Sequence, residues 1–213
     1  MRESLRRFMA DIDRYRMRPR SRVLLVLFTQ GLWAATVHRL LNPLARSRRW
    51  LPRQAGRVAG LALGKLVEVT AGIQLPPECE IGSGLYIGHF GNIIVNPRVR
   101  MGSNCNLSQG VTIGSAGRGQ GIKGVPVLGD RVWIGPGAVL FGAISIGNDV
   151  AVGANAVVTR SLPDRAVAVG VPARVISYQG SFDYVSYRGM EQDPDRQQCL
   201  ALRGSEECPP VLS

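Results

Sequence analysis

A six-residue beat constrains this chain more than any other feature. Aliphatic residues or cysteine recur at Val69, Leu75, Ile81, Ile87, Ile93, Val99, Cys105 and Val111. After an irregular stretch the beat resumes at Leu128, Ile134, Leu140, Ile146, Val152 and Val158. Glycine follows directly at Gly82, Gly88, Gly129, Gly135, Gly147 and Gly153, and small or aliphatic residues sit four places on, as at Leu85, Val132, Ala138, Val150 and Ala156. Neither an amphipathic helix nor a hairpin sheet needs a period of six. A solenoid of very short strands does: one residue per hexad points inward, glycine permits a tight corner, and each coil stacks on the last. Three hexads per coil give a triangular prism, and the fourteen hexads fill between four and five coils. Such a rod has a thin core and open coil ends, so contacts between copies along a face are expected.

The interruption is informative too. Ser115–Val125 holds four glycines and two cations, Arg118 and Lys123. It reads as a loop projecting from one corner, and loops on a rigid scaffold often carry function.

Charge divides the chain. Of 26 basic and 15 acidic residues, 15 basic and 4 acidic lie in residues 1–68, which therefore hold the whole net charge of +11. This first segment reads as interrupted helix. The apolar run Val23–Val37 is shorter than the roughly 20 residues a membrane span needs, and it makes a poor secretory signal. With Arg46, Arg48, Arg49, Arg53 and Arg57 following it, residues 1–57 fit an anionic membrane surface. They equally fit helices packed on the next domain with a solvated basic face. No aromatic interleaving or known motif supports nucleic-acid binding. The expected division is a basic helical segment 1–68, a solenoid 69–176 with loop 115–125, and a C-terminal extension 177–213. In that extension Tyr178, Phe182, Tyr184 and Tyr187 are expected to dock on the last coil, and the polar stretch from Glu191 onward to be mobile.

Cys79, Cys105, Cys199 and Cys208 form no C-x-x-C pair, so neither a disulfide scaffold nor a structural zinc site is expected. The chain's two histidines, His38 and His89, exclude a three-histidine metal centre within one chain. His38 lies in an apolar stretch and reads as structural or interfacial. His89 is the only histidine in the repeat region.

The beat, the segment Ile87-Gly88-His89-Phe90-Gly91, Val111-Thr112-Ile113-Gly114 before the loop, and the closing Gly170-Val171-Pro172-Ala173-Arg174-Val175 resemble the hexapeptide-repeat acyltransferases. Among these the chain looks most like serine O-acetyltransferase and its relatives in exopolysaccharide clusters. The resemblance spans about residues 66–176. It implies a left-handed parallel β-helix that forms a homotrimer, with acetyl-CoA as co-substrate between neighbouring prisms and no metal. His89 aligns with the family's general base, and imidazole titrates close enough to neutrality to take a hydroxyl proton. By motif position Ser115, Pro136 and Ala154 line the pantetheine groove, and Arg118, Lys123 and Arg174 are candidates for the coenzyme's phosphates.

Departures fall on the acceptor side. Gly124 and Val125 stand where serine acetyltransferases carry arginine and histidine. Gly88 replaces the aspartate before the base, and Gln74 replaces a further aspartate. These changes at Gln74, Gly88 and Val125, with a basic N-terminus suited to the cytoplasmic membrane face, lead to an expected glycan hydroxyl acceptor in surface-polysaccharide assembly. Serine O-acetyltransferase of cysteine biosynthesis is the alternative, and a non-catalytic solenoid scaffold a further one. The ending Val211-Leu212-Ser213 argues against docking into cysteine synthase. The expected location is the cytoplasm, peripheral on the inner membrane.

Overall fold

The six-residue beat resolves into strands of two to four residues that turn at three corners. In the computed structural model, which describes residues 2–15, 22–116 and 124–203, the strands stack into three sheets. Sheet A holds β1 (Ile73–Gln74), β4 (Ile93–Val95), β7 (Thr112–Gly114), β10 (Val139–Phe141) and β13 (Val157–Val158), all parallel. Sheet B holds β2 (Glu80–Ile81), β5 (Arg100–Met101), β8 (Val127–Leu128) and β11 (Ser145–Ile146). Sheet C holds β3 (Tyr86–Ile87), β6 (Asn106–Leu107), β9 (Trp133–Ile134), β12 (Ala151–Val152) and β14 (Val167–Val169), closed by the antiparallel β15 (Arg174–Ser177).

Two residues per hexad point inward, not one. The pair flanks an outward residue, as in Ile93 and Val95 around the exposed Ile94, because side chains alternate along even a three-residue strand. The glycines after the beat serve close stacking. A Cβ on Gly135 would lie 2.8 Å from the Val152 carbonyl oxygen of the next coil.

The beat also changes rows. Ile73 pairs with Ile93, 20 residues on, whereas Val127 pairs with Ser145, 18 residues on. Val95, Met101, Leu107 and Ile113 therefore continue the row of Leu75, Ile81 and Ile87, while Ile93, Val99, Cys105 and Val111 occupy the row two places earlier. Both rows are aliphatic, so the period hides the slip. The two additional residues fall in the turn that carries His89.

Val69, the first beat, is not in the prism at all. It lies 77% exposed in the last turn of a helix that ends at Gly72, whose φ of 64° forms the cap. That helix, α4 (Trp50–Ala71), follows α1 (Arg2–Arg14), α2 (Arg22–Phe28) and α3 (Gln30–Ala45). Leu51, Val58, Leu61 and Leu66 join Val69 as exposed apolar residues of α4. Among the described residues no helix is long and apolar enough to cross a membrane.

Of the two readings of the N-terminal segment, α1 and α3 show the packed one. The first coil leaves the edges of β2 and β3 unpaired, and exposed strand edges demand partners. Asp11 accepts a hydrogen bond from the Leu85 N–H (2.8 Å), and Arg39 donates to the Ile81 and Gly82 carbonyls (2.7 and 2.6 Å). Arg39 also grips Asp11 through two nitrogens (2.8 and 3.0 Å). The Tyr15 hydroxyl accepts from the Ile87 N–H (2.8 Å) and donates to the Ile87 carbonyl (3.0 Å). His38 is fully buried, with Nδ1 3.0 Å from the Pro76 carbonyl oxygen. That carbonyl can only accept, so Nδ1 carries the proton.

The C-terminal extension departs from expectation in two ways. After β15 it turns back along the outside of the prism, with the Ser181 hydroxyl donating to the Arg131 carbonyl and Tyr184 stacked on Trp133 at 4.2 Å. Within the polar stretch Pro194–Ala201 forms a helix, α5, because Asp193 caps it and Pro194 opens it; residues 204–213, the rest of that stretch with Cys208, lie outside the described residues. Buried Arg196 ties α5 down by donating to the Val185 and Phe182 carbonyls (both 3.0 Å).

Candidate active site

His89 sits at the corner where sheet C turns into sheet A. Gly88 precedes it, and Gly91 (φ 106°) and Asn92 (φ 49°) bring the chain back to β4 through left-handed backbone. Three hydrogen bonds pin this wider turn: Gly91 N–H to the Ala71 carbonyl, Ile93 N–H to Gly72, and Gly110 N–H to Gly91, all 2.9 Å. The imidazole is exposed, as is Phe90 beside it.

The register of sheet C, with Tyr86 beside Asn106 and Asn106 beside Trp133, stacks His89, Gln109, Pro136 and Ala154 along one corner. The Gly137 N–H bonds the Gln109 carbonyl (2.9 Å) and the Asn155 N–H bonds that of Pro136 (2.8 Å). Arg174 lies exposed opposite Val169 at the far end of this column. Ser115 and Val125 sit at a different corner, between sheets A and B, on either side of the loop; Val125 packs half-buried against the core. Gln74 is exposed on sheet A and lines a separate hollow of about 240 Å³ under α4. One chain thus brings His89, Gly88, Pro136 and Ala154 to one corner and leaves Ser115, Val125 and Gln74 apart from it. Arg118 and Lys123 lie outside the described residues.

His89 borders a cleft of about 530 Å³ on the outer face of sheet C, walled by Arg14, Tyr15, Tyr86, Asn106 and Tyr184. The rings of Tyr15 and Tyr86 lie 4.6 Å apart, and the Arg14 guanidinium stands 5.7 Å from the Tyr86 centroid. Arg14 donates to the Gly84 carbonyl (2.7 Å) and to the Asn106 amide oxygen, while the Asn106 amide nitrogen donates to the Tyr184 carbonyl (2.9 Å). Burial pulls the Arg14 pKa down to about 10, which leaves it charged near neutrality. Burial pushes the Tyr15 phenol up, so it stays a neutral donor. A side chain at Gly88 has little room: its Cβ would stand 2.9 Å from the Tyr86 ring. Among the described residues no group of three potential metal ligands occurs.

Sequence reasoning missed Arg14, Tyr15, Asn106 and Tyr184. Arg14 ends a charged helix and Tyr15 follows it, both far from His89 in sequence, and their partners exist only once α1 packs on the first coil. Asn106 carries a faint signal, as an amide on an outward strand position that the structure buries.

Residues 126–160 match the family described as bacterial transferase hexapeptide (six repeats). A serine acetyltransferase of Helicobacter pylori is 36% identical over 152 residues, covering 71% of this chain and 84% of its own length. The soybean serine acetyltransferase apoenzyme superposes with a TM-score of 0.70 at 31% identity, over 83% of this chain and 70% of that one. The serine acetyltransferase of Brucella abortus strain S19 in complex with coenzyme A gives 0.70 at 29% identity, over 82% and 68%. These relatives overturn the expected glycan acceptor and the polysaccharide setting, and favour the serine acetyltransferase alternative over both. The chain is an acyltransferase and belongs to the serine acetyltransferase family of hexapeptide-repeat enzymes.

Proposed function

We propose that this chain is a serine O-acetyltransferase that moves the acetyl group of acetyl-CoA onto the hydroxyl of L-serine. The observation that carries the reading is the placement of His89, the repeat region's one histidine, on the rim of a cleft and at the head of the Pro136–Ala154 corner column. His89 takes the hydroxyl proton as the serine oxygen bonds to the thioester carbon, and returns it to the sulfur as the carbon–sulfur bond breaks. The neutral imidazole takes the proton, and the imidazolium so formed gives it back. Pro136 and Ala154 line the pantetheine arm of the coenzyme, with Arg174 placed for its phosphates. Gly88, with Val125 of a neighbouring chain, belongs to a serine pocket of altered composition, whereas Gln74 lies apart from it in its own hollow.

The resemblance implies left-handed prisms, and the split of these residues between corners supports a homotrimer in which Ser115 and Val125 of one chain face the His89 column of the next. Purified protein with acetyl-CoA and a thiol reagent tests the activity. Coenzyme A release should saturate with L-serine and fall about 100- to 10,000-fold in His89→Ala, the usual weight of a general base. Absence of serine-dependent release from the unmutated protein, or an undiminished His89→Ala rate, would overturn the reading.

A further inference from the structure

The cleft beside His89 contains a buried cation that no carboxylate among the described residues pairs with. Arg14 is 6% exposed and makes no ion pair among the described residues. Its two terminal nitrogens rest on neutral acceptors, the Gly84 carbonyl and the Asn106 amide oxygen, and its Nε is buried without a hydrogen-bond partner. Two other buried arginines behave differently. Arg39 is paired with Asp11 at 2.8 Å and Arg131 with Asp149 at 2.9 Å. Arg196 also ends on carbonyls, but it lies between the Phe182 and Tyr187 rings and does not line this cleft. Asp11, one turn before Arg14 on α1, is already held by Arg39.

An unpaired guanidinium taken out of water is costly, and an anion brought against it recovers much of that cost. We infer that Arg14 is the residue that recognises the α-carboxylate of the acceptor amino acid. The inference rests on the serine reading and names the group that selects an amino acid over a plain alcohol.

Charge matching favours a carboxylate over a coenzyme phosphate. Among the described residues lining the cleft, Arg14 is the one fixed cation, and a single positive charge matches a monoanion. The planar fork of guanidinium also suits the two oxygens of a carboxylate. Asn106 positions that fork: it accepts from Arg14 while Tyr184 holds its amide nitrogen. The aromatic walls of Tyr15, Tyr86 and Tyr184 thin the water around the charge, which strengthens its attraction to an anion.

The test compares L-serine with L-serinamide, which keeps the hydroxyl and amine and lacks the carboxylate. The unmutated enzyme should prefer L-serine by about 10- to 100-fold in kcat/KM, the range of one charge-assisted contact. In Arg14→Met the KM for L-serine should rise by about the same factor, with the KM for acetyl-CoA within about twofold and the serine-over-serinamide preference collapsing towards unity. Arg14→Lys should restore part of the preference. Equal use of both acceptors by the unmutated enzyme overturns the inference without any variant, so a misfolded Arg14→Met leaves it exposed to refutation. An Arg14→Met enzyme that keeps its preference also overturns it. Neither result touches the serine reading, which falls if the unmutated enzyme shows no serine-dependent release or if His89→Ala leaves that release undiminished.

Discussion

Asp11→Ala should be among the most damaging single substitutions in the molecule, although Asp11 lies outside the repeats. Its carboxylate, fully buried, takes two hydrogen bonds from Arg39 (2.8 and 3.0 Å) and one from the Leu85 N–H (2.8 Å). Removing it strands a guanidinium that is 4% exposed and orphans a strand-edge amide. Breaking a buried pair from one side costs about 3–5 kcal/mol, and an unsatisfied buried N–H adds about 1–3 kcal/mol. The carbonyls of Ile81 and Gly82 keep hold of Arg39 and offset part of this, so about 4 kcal/mol is expected. That is a large share of the roughly 5–15 kcal/mol that holds an ordinary domain together. Urea unfolding followed by far-ultraviolet circular dichroism measures it. The double variant Asp11→Leu with Arg39→Met removes the stranded charge and should cost less than the sum of its parts, by about 2–3 kcal/mol. An Asp11→Ala loss below about 1 kcal/mol, or strict additivity in the cycle, would refute the claim that this pair caps the first coil.

Two further outcomes follow from the same end of the prism. His38 is buried, with its Nε2 lacking a partner, and burial pulls its pKa down to about 3. The unfolded chain binds that proton near pH 6.5 and the folded chain does not. Stability is therefore complete above pH 6.5 and falls as the pH drops towards 3, by about 1.4 kcal/mol per unit from this residue; urea midpoints of His38→Gln should lack that component, and an identical pH profile in the two proteins would count against it. Tyr15→Phe leaves both polar groups of Ile87 without their partner and should cost about 1–3 kcal/mol, read as faster hydrogen exchange at the Ile87 amide, whereas unchanged exchange there would show that Tyr15 does not pair the β3 edge.

What the sequence disclosed followed from crowding. Inside a prism this narrow, inward positions accept aliphatic side chains and little else, so every beat from Leu75 to Val158 is buried. Val69 was misleading because α4 places apolar residues at its own period, and the helix ends only where Gly72 adopts left-handed backbone. The polar tail hid α5, since its stability comes from the Asp193 cap and from Arg196 reaching carbonyls that only the folded chain assembles. The cleft was illegible for the same reason: Arg14 and Asn106 are 92 residues apart and meet only when α1 lies across the first coil. His89 was legible, but its setting was not. The period reads straight through Ile87 and Ile93 because the slip of two residues exchanges one aliphatic row for another. A regular 18-residue coil would return the chain to sheet A without the Gly91–Asn92 turn. The additional length lets the corner widen beside α1, where a helix that is needed to cap an open edge also supplies Arg14 and Tyr15. Stability and the proposed chemistry therefore meet at the first coil: the segment that satisfies its unpaired strands is the one that walls its histidine.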